Sequence, residues 1–158
     1  MKDSLRTGMA FGLTSAVITT LGLMVGLHAG THSSMVVLGG ILTIAIADAF
    51  SDALGIHVSE EAENTHSHKE IWASTVATFL AKFLFTMTFV VPVLLFPLAT
   101  AIVVSLVWGM VILTTLSYVL ARMQGKTPWK VVGEHVLIAA AVIILTHWVG
   151  DWIGKLGS

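Results

Sequence analysis

The sequence predicts an all-α membrane protein, a single transmembrane domain of five spanning helices with a cytoplasmic N-terminus and an outside C-terminus. Three observations predict it. The 158 residues are 56% hydrophobic and only 11% charged, with a mean hydropathy of +0.91. Soluble domains carry about 25% charged residues, and so short a chain has no core large enough to hide this much apolar surface, so its natural solvent is a bilayer. Five apolar runs each reach the ~20 residues that a spanning helix needs at 1.5 Å per residue. Finally, if the helices alternate, Lys2, Arg6, Lys69, Arg122, Lys126 and Lys130 fall on one side and only Lys155 falls clearly on the other. That bias marks the cytoplasmic face.

Helix one is expected from about Arg6 to Leu27. Lys2 and Arg6 could head a signal peptide, but the apolar run is longer than a signal core, and its glycines suit helix packing. Gly8 and Gly12 are four residues apart, as are Gly22, Gly26 and Gly30, with Ser15 and Thr19 between them. Such rows let helix backbones approach closely in lipid. The partner is either a neighbouring helix of the same chain or helix one of a second copy in a homodimer. A short link, residues 28–34, leads to helix two, from about Met35 to His57.

Helix two holds the features that most need explaining. At 100° per residue, Asp48 and Asp52 lie about 40° apart on the wheel, with Ser59 about 20° and Glu63 about 60° from Asp48. They form one stripe running inward from the cytoplasmic end, with Asp52 about 7 Å and Asp48 about 13 Å deep if His57 marks the interface. A carboxylate in mid-bilayer costs roughly 2.5–3.5 kcal/mol on insertion scales. Two on one face require water, a proton or a cation, and hard divalent cations favour carboxylate oxygen. The alternative is polar contact with neighbouring helices through Thr14, Ser15 or Thr19. The stripe leads into the most polar stretch of the chain, the expected loop 59–70, "SEEAENTHSHKE". There Glu60, Glu61, Glu63, His66 and His68 combine carboxylates and imidazoles that suit first-row divalent metals, or else form a solvated polar loop.

Helix three is expected from about Ile71 to Phe96, kinked at Pro92, with Pro97 in a tight turn. Lys82, about three turns in, either snorkels to the cytoplasmic face or acts as counter-charge to Asp52. Helix four follows from about Leu98 to Ala121. Gly125 and Pro128 break the chain before helix five, from about Val131 to Trp152. Trp129, Trp148 and Trp152 sit near the expected interfaces. Glu134 and His135 open helix five, and His147 and Asp151 near its far end are either an exit site or a surface pair.

Several function classes are excluded or disfavoured. A net charge of -1 argues against a nucleic-acid partner. With no cysteine there is no thiolate chemistry or disulfide. No phosphate-binding glycine loop or metalloprotease motif is present, and an enzyme is not expected.

The motifs "FGLTSAVITTLGLMVGL" and "SDALGIHVSEEAE", together with "VVPVLLFPL" and "GEHVLIAAAVIILTHWVGDWIG", resemble the vacuolar iron transporter family across all five helices. Four departures stand out. Phe11 precedes Gly12 where that family places an aspartate, Asp52 stands near its helix-two methionine, and Ile56 replaces an acidic residue. The family's long Glu-rich metal-binding insert is also absent here. The resemblance implies a homodimeric multi-pass transporter that exports iron(II) or manganese(II) from the cytoplasm, coupled to protons, with no permanent cofactor. In that scheme Glu60, Glu61, Glu63, His66 and His68 gather metal, and Asp52 and Asp48 relay it. The competing expectation is a non-transporting metal sensor or assembly partner of the same fold.

Overall fold

A computed structural model describes residues 2–156, apart from the side chain of Lys2, whose charge therefore lies outside the described residues. The chain is α1 (Lys2–Thr31), α2 (Ser34–Glu63), α3 (His68–Thr88), α4 (Val90–Leu95), α5 (Leu98–Met123) and α6 (Pro128–Leu156), with no strand among the described residues. With α3 and α4 taken as one interrupted span, five segments are long and apolar enough to cross a membrane.

The helices run further than the apolar stretches alone suggest, and local chemistry sets their ends. The turn after α1 is only His32 and Ser33, with His32 at φ 52°. Ser33 then caps α2 by accepting from the Val36 amide, which satisfies one of the orphan donors of a helix start. The expected loop 59–70 is mostly helix. Its glutamates and alanine are good helix formers in water, so α2 continues to Glu63 and stops at Asn64 (φ 52°), a residue type that tolerates the left-handed conformation. Only residues 64–67 lie outside the helices. The Glu70 carboxylate accepts from both the Ser67 amide (3.1 Å) and hydroxyl (2.8 Å), a capping box that starts α3. Pro92 lacks the amide that would continue α3, and its ring crowds the carbonyl four residues back. The break falls at Phe89. Pro128 occupies the first position of α6, where a missing amide costs nothing.

The central helix is α1, which packs against α2, α3, α5 and α6 and has no exposed residue from 12 to 30. Gly8 lies on the Ser74 carbonyl of α3, and a Cβ at Gly12 would come 2.6 Å from the Thr78 carbonyl oxygen. Gly22 and Gly26 face Val142 and Thr146 of α6, while Gly30 meets Gly150. Of the two partners the glycine row could have had, it meets neighbouring helices of the same chain, because α1 sits between α3 and α6. Val17, Leu21, Met24, Ile41, Phe89 and Leu113 build the apolar core around it. The outward faces of α2, α5 and α6 carry exposed Phe50, Leu54, Val107, Leu137 and Leu145, as lipid contact requires.

Candidate functional site

Along α3, Ser74, Thr78, Lys82 and Thr86 follow one another every fourth residue, and all four are fully buried. Three are short hydroxyl residues that fit against the glycine face of α1. Ser74 and Thr78 donate to the carbonyls of Ile71 (2.9 Å) and Ser74 (2.8 Å), so their polarity is absorbed by their own helix. Thr86 accepts from Thr20 of α1 at 3.4 Å. Lys82 is the charged member of the row, and its partners lie on two other helices.

The Lys82 ammonium stands 2.5 Å from Asp48 Oδ2 and 2.5 Å from Asp52 Oδ2, both on α2, and it donates to Ser15 Oγ of α1 at 2.8 Å. The bonds to Asp52 and Ser15 are charge-assisted, the strong class in a low-dielectric setting, and Asp48 adds an ion-pair contact. They tie three helices together at one level. Asp48 is fourteen residues from Ser34 and fifteen from Glu63, and Lys82 is fourteen from His68 and thirteen from Leu95, so both sit midway along their spans. Lys82 is therefore a counter-ion and not a snorkelling residue. Exposure is uneven: its side chain is 1% accessible, against 28% for Asp48 and 18% for Asp52. The ammonium is sealed between helices, while the carboxylates open along α2. With all three groups ionised the site carries one net negative charge.

The stripe projected along α2 divides in the structure. Ser59, Glu61 and Glu63 are exposed at the helix end. Glu60 is instead buried, with His66 Nδ1 3.0 Å from its carboxylate. His68 turns away and packs near the Trp72 ring. The five residues expected to gather metal are thus one pair, Glu60 with His66, and three separate exposed side chains. The cause is helix continuation, which spreads Glu60, Glu61 and Glu63 around the α2 surface. Among the described residues no three His, Asp or Glu side chains converge as a metal cage.

At the opposite end, Asp151 pairs with Lys155 at 2.6 Å, a different partner from the expected His147. The rings of His28 and His32 lie 5.3 Å apart. Two hydrogen bonds went unforeseen: His57 Nδ1 with Thr75 Oγ1 (2.9 Å) and His135 Nδ1 with Ser117 Oγ (2.7 Å). Both join residues eighteen apart across a four-residue turn. In an antiparallel helix pair that spacing places both partners equally far from the turn, which is the signal that could have found them.

Compared with protein-family models and with curated proteins, the chain matches none.

Proposed function

We propose that this chain is a membrane transporter for a divalent metal cation, iron(II) or manganese(II), exported from the cytoplasm in exchange for protons. The observation that carries this reading is the pair of carboxylates, Asp48 and Asp52, held at mid-span and open on one side. Ionisable groups at that depth mark ion pathways by default, and oxygen donors of this kind suit hard divalent cations. The resemblance of the helix-one and helix-two motifs to vacuolar iron transporters supports the same assignment. In this scheme the cytoplasmic end of α2 supplies first contacts through Ser59, Glu61 and Glu63, with the Glu60–His66 pair beside them. Asp52 and then Asp48 take the cation inward, and proton return resets them.

One observation favours a second reading, a non-transporting sensor or assembly partner. Lys82 already neutralises much of the carboxylate charge, and Phe11 stands where the resembled family has an aspartate. Manganese flux into proteoliposomes separates the two. Transport predicts uptake by the wild type that is lost in Asp48→Asn/Asp52→Asn. Undiminished flux in the double variant would sink the site, and metal binding without flux would favour the sensor.

A further inference from the structure

We infer that Lys82 is the resident cation of the Asp48–Asp52 site, and that a divalent cation and the Lys82 ammonium occupy it only in alternation. The inference rests on the transport reading above and adds to it what holds the site when no cargo is present. Lys82 Nζ stands 2.5 Å from one oxygen of each carboxylate. The ammonium therefore occupies the point between the two carboxylates that a bound metal ion would take. Two cations do not share it, because their mutual repulsion is strong at such separations in a poorly screened interior.

The surroundings make the occupancy a defined state. The ammonium donates to Asp52 and Ser15 and stands in ion-pair contact with Asp48. Its side chain is sealed while the carboxylates stay partly accessible, so cargo approaches from the α2 side and Lys82 withdraws from the opposite side. One helical turn further along α3, Thr86 and Thr20 share a long 3.4 Å hydrogen bond. With Thr78, one turn on the other side of Lys82, those hydroxyls offer alternative acceptors along the buried row. Withdrawal also releases Ser15, so cargo binding unties α1 from α2 and α3. Lys82 thus sets both the affinity of the empty site and the coupling of occupancy to helix packing.

The test is manganese(II) binding to the purified full chain in phosphatidylcholine nanodiscs at pH 8. Lys82→Gln removes the competitor and is expected to bind at least tenfold more tightly than wild type, a gain that Asp48→Asn/Asp52→Asn abolishes. Lys82→Arg keeps the charge and is expected to stay within threefold of wild type. Ser15→Ala leaves every charge in place and loosens the ammonium, so a rise of about threefold is expected. It decides the matter if Lys82→Gln does not fold. Equal or weaker binding in Lys82→Gln, or in Ser15→Ala where it alone is folded, overturns the inference while leaving the transport site standing. Wild-type binding indifferent to Asp48→Asn/Asp52→Asn, or no binding in any folded variant, overturns the transport reading itself and the inference with it.

Discussion

Gly12→Ala probes whether the close approach of α1 and α3 holds the charged cluster together. The new Cβ would lie 2.6 Å from the Thr78 carbonyl oxygen and 3.2 Å from the Lys82 amide nitrogen. Ordinary contact begins near 3.4 Å, so the backbones must part by up to 0.8 Å, the difference between 3.4 and 2.6. The obstructing atoms are main chain and the Ala81 Cβ, at 3.1 Å, and none can rotate aside. Overpacking of this kind costs about 1–3 kcal/mol. The Ser15–Lys82 hydrogen bond, 2.8 Å long and three residues further along α1, would stretch toward 3.6 Å, beyond hydrogen-bonding range. Weakening a bond to a charged group adds about 1.5 kcal/mol, and the better helix propensity of alanine returns about 1 kcal/mol. The net expectation is a loss of about 1.5–3.5 kcal/mol, or about 3–14 °C in Tm for a chain of this size. Thermal unfolding in detergent, followed by far-ultraviolet circular dichroism, measures it. Gly133→Ala is the control: a Cβ there meets nothing within 4 Å, and the substitution should stabilise by about 0.5–1 kcal/mol. If the two variants melt together, the close α1–α3 contact does not hold the cluster as described.

Two further perturbations test the charged cluster and the α5–α6 hairpin. Lys82→Met leaves two half-buried carboxylates without their counter-ion and should cost about 3–5 kcal/mol, whereas Asp48→Asn/Asp52→Asn/Lys82→Met removes all three charges and should recover most of that loss. Equal melting temperatures for the single and triple variants would show that the charges are not coupled. Ser117→Ala deprives His135 of its partner in a nearly closed helix pair and should lower stability by about 1 kcal/mol. Double-variant analysis with His135→Ala should then show non-additivity.

The spans and the mid-membrane carboxylates were legible in the sequence because hydropathy and helical spacing are local properties. Asp48 and Asp52 share a face through their four-residue spacing alone. The fate of Lys82 was not legible, since snorkelling and pairing differ only in how α3 is rotated against α1 and α2. That rotation is set by Gly8 and Gly12 meeting Ser74 and Thr78, a match between segments more than sixty residues apart. The glycine row showed that α1 packs closely, yet nothing local tells an internal neighbour from a second copy. At residues 59–70 polarity alone suggests a loop, although in water Glu60, Glu61 and Glu63 sustain a helix as well as they would decorate a turn. The Glu60–His66 pair followed from that continuation and could not be separated beforehand from Glu61, Glu63 and His68.

The three-helix tie at Lys82 also constrains how the protein enters the membrane. Taken alone, α2 offers the bilayer two carboxylates and α3 one ammonium, each costing roughly 2.5–3.5 kcal/mol at the centre of a span. Each segment gains less by partitioning into lipid before the other is there to meet it. Synthesis therefore favours delivery of α2 and α3 as a hairpin, its charges already matched, against an α1 that presents Ser15. A chain truncated after Glu63 should insert α2 less completely than one extended to Leu95, and glycosylation-site mapping during translation reads that difference directly. The position of one lysine thus governs the order in which the spans can leave the translocation machinery.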